Sequence, residues 1–141
     1  LCGSEGTLAV TLGAELALVP KPAARGLACV GFTSLDEAIA AVVPILSTGP
    51  VAVELLDDTV VDLARANAEY ARYVELMPAP PAGRGVLKAV LYVEYFADGP
   101  AAASEAEARV RAKFDELERV VARECPGATA RRYTDAPSMN E

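Results

Sequence analysis

The sequence predicts an α+β domain built from two consecutive strand–helix–strand units, with an antiparallel sheet and its helices packed on one face. Three observations predict it. Gly49-Pro50 stops one element, Val51, Val53 and Leu55 then alternate as one face of a strand, and Asp57 or Asp58 is placed to cap a following helix. Ser34 and Glu37 have the spacing of a capping box ahead of an apolar-striped segment, and Ser104 and Glu107 repeat it further on. Each capped segment lies between short apolar runs, so the order reads β-α-β-β-α-β, the ferredoxin-like pattern, here preceded by one extra strand.

Leu1 to Gly6 is punctuated by glycine, and Thr7 to Val19 is apolar enough for that extra strand, with Val10, Leu12, Leu16 and Leu18 at even spacing around Gly13. Pro20-Lys21-Pro22 ends it, since two prolines two apart fit neither a central ladder nor a helix interior. Leu27 to Phe32 is the first strand of the main domain. Residues 35–48 are its first helix, striped by Leu35, Ala38, Ile39, Val42 and Leu46, with Pro44 expected to kink or shorten the last turn.

After the strand at Val51, Thr59 to Ala66 reads as a short helix. Ala68 to Met77 reads as a second, with Tyr70, Tyr73, Val74 and Met77 on one side. Pro78 to Gly85 is an exposed loop. Val86 to Phe96 is the longest strand, and apolar residues on both its faces up to Glu94 place it inside the sheet. Ala97 to Pro100 turns the chain into a helix that runs to about Glu124, with Val110, Phe114, Leu117 and Val121 inward and the pairs Glu105/Arg109, Glu107/Arg111 and Asp115/Arg119 on a solvated face. Pro126-Gly127 ends it, Ala128 to Tyr133 is the last strand, and Thr134 onward is a frayed tail.

Composition narrows the chemistry. A net charge of -7 over 141 residues excludes a sequence-independent hold on phosphate backbones, so no nucleic-acid partner is expected. No apolar run approaches the ~20 residues of a membrane-spanning helix, and the chain is expected to be cytoplasmic. Cys2, Cys29 and Cys125 have neither disulfide-framework nor metal-site spacing. There is no histidine, which removes Ser/His/Asp and Cys/His catalysis and the usual zinc sites from this stretch.

Gly3-Ser4-Glu5-Gly6-Thr7-Leu8, followed by Ala9-Val10, Glu15-Leu16, Val19-Pro20 and Pro22, resembles the end of the flavin-binding domain in FAD-linked oxidases, the group of glycolate oxidase flavin subunits and D-lactate and D-2-hydroxyglutarate dehydrogenases. The resemblance continues through Gly31-Phe32, Ser34-Leu35, Gly49-Pro50 and Glu54 to Asp57, where that family's C-terminal cap domain begins. Ala9 stands where many members have glycine, and Leu8 to Leu12 is more similar to the branch fused to an iron–sulfur oxidoreductase, although Gly13 fits neither pattern.

The resemblance implies that residues 1–22 are the last strand of the FAD-binding domain and a linker, 23–133 an incomplete ferredoxin-like cap and 134–141 a tail, all excised from a longer polypeptide. It implies FAD in the parent, held in part by residues 3–10: Gly3, Ser4, Glu5, Gly6, Thr7, Leu8, Ala9 and Val10. Gly3 and Gly6 would let main-chain N–H groups approach a diphosphate, and Thr7 would add a hydroxyl donor. The glycine-rich pyrophosphate loop would lie upstream and the histidine-containing substrate motif downstream, so this stretch is expected neither to retain FAD nor to catalyse alone. Its implied partners are the flavin-binding domain of the same polypeptide and an iron–sulfur oxidoreductase domain.

Within the cap, Glu54, Arg131 and Arg132 are candidate substrate residues, the two arginines as a bidentate clamp for a carboxylate. Simpler readings stand beside each: Glu54 as a surface acid, Asp57 as a helix cap, the arginines as a solvated edge, and Tyr92 and Tyr95 as sheet-face or core aromatics rather than flavin contacts. Apolar surface left by a missing flavin domain predicts self-association. The alternative to the oxidoreductase reading is a stand-alone ferredoxin-like module for ligand binding or dimerisation.

Overall fold

A computed structural model of the chain describes residues 1–80, 83, 85–98 and 103–134. The elements run β1 (Ala24–Phe32), α1 (Leu35–Leu46), β2 (Ala52–Asp57), α2 (Asp58–Ala66), α3 (Ala71–Val74), β3 (Ala89–Ala97), α4 (Ala103–Glu124) and β4 (Thr129–Tyr133). The four strands form one sheet in the order β2-β3-β1-β4, and every neighbouring pair is antiparallel. This is the ferredoxin-like arrangement expected from the order of elements, with β3 inside the sheet as its two apolar faces require.

Alternation along the strands sorts residues between two faces. Ala28, Val30 and Phe32 of β1 and Leu91, Val93 and Tyr95 of β3 turn toward α1 and α4, where they meet Ala38, Ala41, Ile45, Val110, Phe114, Leu117 and Val121 in the main core. Tyr95 and Phe114 pack edge to face, their ring centroids 5.8 Å apart at 87°. The helix crosses closely there because Gly26 has no side chain: a β-carbon at that position would lie 2.5 Å from Val110 Cγ1 and 2.6 Å from Phe114 Cζ.

The helix ends follow local chemistry. Ser34 Oγ accepts the Glu37 N–H at 3.4 Å, which is the Ser34 half of the expected capping box. The regular part of α1 ends at Leu46, short of residue 48, as expected from Pro44; its end tightens, with Ser47 N–H donating to Pro44 O and Thr48 N–H to Ile45 O. Thr48, fully buried, also bonds through its hydroxyl to Ile45 O at 2.7 Å and to the Tyr95 hydroxyl, while Lys113 Nζ donates to Thr48 O at 2.8 Å. That knot ties α1, β3 and α4 together. Ser104 is already inside α4, which includes Ala103, so it is a first-turn residue and not the cap.

Four further expectations are corrected. Thr7 to Val19 forms no strand within this chain: no described residue supplies it with a ladder partner, and Leu8, Val10, Leu12, Leu16 and Leu18 stand exposed. The second helix after β2 shrinks to Ala71–Val74, because Asn67 Oδ1 takes the Glu69 N–H and successive i to i+3 bonds replace helical ones. Pro78 is buried against Gly31, not exposed, while residues 81, 82 and 84 of that loop lie outside the described residues, as do the Gly99-Pro100 half of the turn before α4 and the tail from Asp135. Of the three i, i+4 pairs on α4, Glu107–Arg111 forms at 3.4 Å; Arg119 donates to the Asp115 main-chain oxygen and Arg109 to Asp98 O.

Candidate functional site

Two parts of the molecule carry the candidate residues: the segment ahead of β1, and the sheet face turned away from α1 and α4.

The first is bent by its glycines. Gly3 and Gly6 have φ of 79° and 77°, and Glu5 between them has φ of 49°, all in the left-handed region that glycine adopts without strain. Ser4 O accepts both the Thr7 N–H at 2.9 Å and the Thr7 hydroxyl at 2.6 Å, closing a turn. Nothing lies within 4 Å of a β-carbon built on Gly3 or Gly6. The backbone from Gly3 to Val10 is open to approach, which fits one edge of a diphosphate site; the Thr7 hydroxyl is already used by its own turn, so its expected role as a donor requires that bond to exchange.

The second face is closed at one end and open at the other. Cys29, Val90 and Tyr133 are buried there under Leu76, Met77 and Leu87, and the Tyr133 hydroxyl donates to Leu76 O. Toward the other end Arg25 and Phe96 are exposed and Glu94 is half-buried, while Leu27 and Tyr92 pack against the closed cluster and Glu54, beside Tyr92 on β2, is exposed. In register, Glu54 sits beside Tyr92, Tyr92 beside Cys29 and Cys29 beside Arg131. Between this face and α2 and α3 lies an apolar groove of about 560 Å³, walled by Leu56, Val60, Leu63, Tyr73, Met77 and Tyr92. Tyr70, Tyr73, Val74 and Met77 all turn toward this groove, as their spacing predicted.

The arginine pair does not come together. Neighbouring residues on a strand point to opposite faces, so Arg131 lies on the second sheet face at its closed end, over the Tyr133 ring and donating to Glu75 O, while Arg132 points to the helix layer. There its guanidinium is taken by Asp115 at 2.9 Å and by both oxygens of Glu118. A bidentate clamp from the two side chains would need one of them to cross the sheet. Asp57 is the N-cap of α2, accepting the Val60 N–H at 2.9 Å, and Glu54 is exposed on β2. Asp57→Ala should lower stability by about 1 kcal/mol in a urea melt, and Asp57→Asn, which keeps the acceptor, should be close to neutral.

Burial dominates the titration of the closed end. It pushes the Cys29 thiol up to about 12 against the pull of Arg131, and Tyr92 up to about 12, with smaller contributions from Cys29 and Tyr133. Both groups stay neutral while folded, so the stability they contribute is fully present below their ordinary values of 9.0 and 10.0 and is lost as the pH rises toward 12. A thermal-melt series across that window should show the fall. Iodoacetamide at neutral pH should label exposed Cys2 first and Cys29 only after unfolding, as read by mass spectrometry. No group of acidic, cysteine or histidine side chains among the described residues is arranged to hold a metal ion, and no helix among them is long and apolar enough to cross a membrane.

Known proteins with matching sequences cover the same region. The family model for the C-terminal domain of FAD linked oxidases matches residues 21–135. A D-2-hydroxyglutarate dehydrogenase of Pseudomonas putida is 31% identical over 118 residues, which are 84% of this chain and 11% of that protein. A second, from Pantoea ananatis, is 32% identical over 81 residues, 57% of this chain and 8% of that protein. The chain thus spans about a tenth of the length of these relatives. The family match takes in the whole sheet and its helices, from Ala24 to Tyr133: the chain belongs to the FAD-linked oxidases, through their C-terminal domain, in a family whose cofactor is FAD.

Proposed function

We propose that this chain is part of an FAD-dependent oxidoreductase acting on a 2-hydroxy acid, in which residues 23–133 form part of the cap over the flavin and residues 1–22 the end of the flavin-binding domain with its linker. The observation that carries the reading is the family match over the whole sheet, joined to one feature of the fold. The open end of the second sheet face, around Arg25 and Phe96, is also the end at which β1 begins and the segment from Gly3 to Pro22 attaches.

Bound FAD supplies a two-electron acceptor for the hydride on the α-carbon of a 2-hydroxy acid. This chain's own residues do simpler work. The main chain at Gly3 and Gly6 approaches the diphosphate, and Leu8 and Val10 pair into the sheet of the flavin domain, which gives their exposed side chains a place to be buried. The open end of this face, with Arg25, Glu94 and Phe96, lies against that domain and excludes water. Glu54 and Arg131 remain candidates for the polar rim of this face, whereas Arg132, held by Asp115 and Glu118, serves the cap's own packing. D-2-hydroxyglutarate is the first substrate to try, because both relatives described above carry its name. A protein of which 118 residues are 11% has room for an iron–sulfur domain as well, and we assign one as a further partner.

The test is the flavin content of the purified longer polypeptide that carries this chain. A yellow protein whose Gly6→Val variant binds FAD roughly tenfold more weakly is the expected result, since a β-branched residue at positive φ costs about 1–2 kcal/mol. A colourless protein that takes up no added FAD would defeat the reading.

A further inference from the structure

Between the end of α2 and Pro78 the chain crosses the closed end of the second sheet face as a strap. It is built unlike the rest of the fold. Its one helix, α3, is a single turn, and the bonds around it run from i to i+3: Tyr70 N–H to Asn67 O, Tyr73 N–H to Tyr70 O, Leu76 N–H to Tyr73 O and Met77 N–H to Val74 O. From Asn67 to Met77 no residue is fully buried, whereas α4 buries Val110, Phe114, Leu117 and Val121 along its inner stripe. The apolar groove of about 560 Å³ runs beneath the strap, so Tyr73, Val74 and Met77 line a cleft instead of meeting a packed floor.

What holds the strap down comes from one strand. Thr129, Arg131 and Tyr133 alternate along β4 and share the second face. Each donates to a main-chain oxygen. Arg131 Nη1 reaches Glu75 O at 3.2 Å and Leu76 O at 3.4 Å, and the Tyr133 hydroxyl also takes Leu76 O; these two side chains clasp the middle of the strap. Thr129 Oγ1 bonds to Ala79 O at 2.8 Å, just past Pro78, which is buried against Gly31. That end is anchored. The other end hangs from α2 at Asn67, whose backbone is already extended. On its opposite face β4 is tied to α4 through Arg132, Asp115 and Glu118, so the strand stays in place when the clasp lets go.

We infer that this strap is a lid: residues 68–77 lift from the second face as one unit, pivoting at Asn67 and Pro78 and breaking the Arg131 and Tyr133 bonds, while the sheet, α1 and α4 stay folded. A segment with few buried contacts opens at lower free energy than the core beside it. Lifting takes Leu76 and Met77 off Cys29, Val90 and Tyr133, and the closed end then joins the open end around Phe96 in one continuous face. The second face thus has two extents, set by whether the strap is down. Cys29 reports the motion. The unfolding that admits a thiol reagent to it is that of the strap, not that of the whole chain.

The test follows Cys29 labelling by excess iodoacetamide at neutral pH over hours, by peptide mass spectrometry, in the folded chain at a series of low urea concentrations. The expected result is slow labelling whose rate changes little with urea below the melt, because a local opening exposes little surface. Tyr133→Phe, which removes one clasp bond, should raise that rate about fivefold. Phe114→Leu, which weakens the core without touching the strap, should leave it unchanged. A rate that rises with urea as steeply as global unfolding requires would overturn the inference. So would a rate that Phe114→Leu raises in step with its shift of the melt, or one that Tyr133→Phe leaves at the parent's value.

Discussion

Phe114→Ala should unfold most of the population at a denaturant concentration where the parent chain is still folded, with a loss of about 3–5 kcal/mol. Phe114 is 1% exposed at the centre of the helix layer, stacked edge to face on Tyr95 and covering Gly26. Truncation removes a ring from a packed interior and leaves a cavity whose walls, β1 and β3, cannot collapse without breaking ladder bonds. Since small domains are stable by only 5–15 kcal/mol, such a loss consumes a large fraction of the total. Phe114→Leu, nearer in volume, should cost less than about 1.5 kcal/mol. Equal midpoints for Phe114→Ala and the parent in a urea melt would mean that α4 does not pack on β1 as described.

Gly26→Val should be nearly as damaging, for the opposite reason. The new side chain would start from a β-carbon 2.5 Å from Val110 Cγ1 and 2.6 Å from Phe114 Cζ, inside any permitted contact. Overpacking of this kind costs about 1–3 kcal/mol, and here the obstacle is a ring already fixed against Tyr95, so the upper end is expected. The two sites touch and should therefore couple. Combining Gly26→Ala with Phe114→Leu should be less destabilising than the sum of the single changes, by roughly 0.5 kcal/mol or more. Strict additivity in that cycle would contradict the contact.

Much of this architecture was legible because local signals agreed with the tertiary arrangement. Asp57 and Ser34 had the chemistry of caps and cap their helices. β3 carried apolar residues on both faces and is interior, and the doubled β-α-β order is satisfied by the sheet order found. What was not legible depends on partners distant in sequence. Gly26 looked like any glycine in a strand, and only the approach of α4 gives it a purpose. The alternation from Leu8 to Leu18 is that of a strand, but a strand exists only with a neighbour to bond to, and none of the described residues supplies one. Arg131 and Arg132 suggested a clamp by adjacency, which in a strand separates side chains instead of joining them. Pro44, by contrast, did announce a shortened end: the regular part of α1 stops at Leu46, where the i to i+3 bonds of Ser47 and Thr48 close the helix.

For the candidate site, the segment from Gly3 to Val10 was visible as a motif, whereas the left-handed backbone at Gly3, Glu5 and Gly6 was not read from it. The open and closed ends of the second sheet face were not visible. They arise from where Leu76, Met77, Pro78 and Leu87 happen to fold back, and no periodicity records that.

The central claim is that this chain serves FAD-dependent oxidation of a 2-hydroxy acid, and the anaerobic visible spectrum of the longer polypeptide tests it most directly. The account predicts a flavin band that D-2-hydroxyglutarate, D-lactate or glycolate bleaches, with one of the three far faster than the others. A flavin band that persists unchanged with all three, or no flavin band after incubation with FAD, would contradict it.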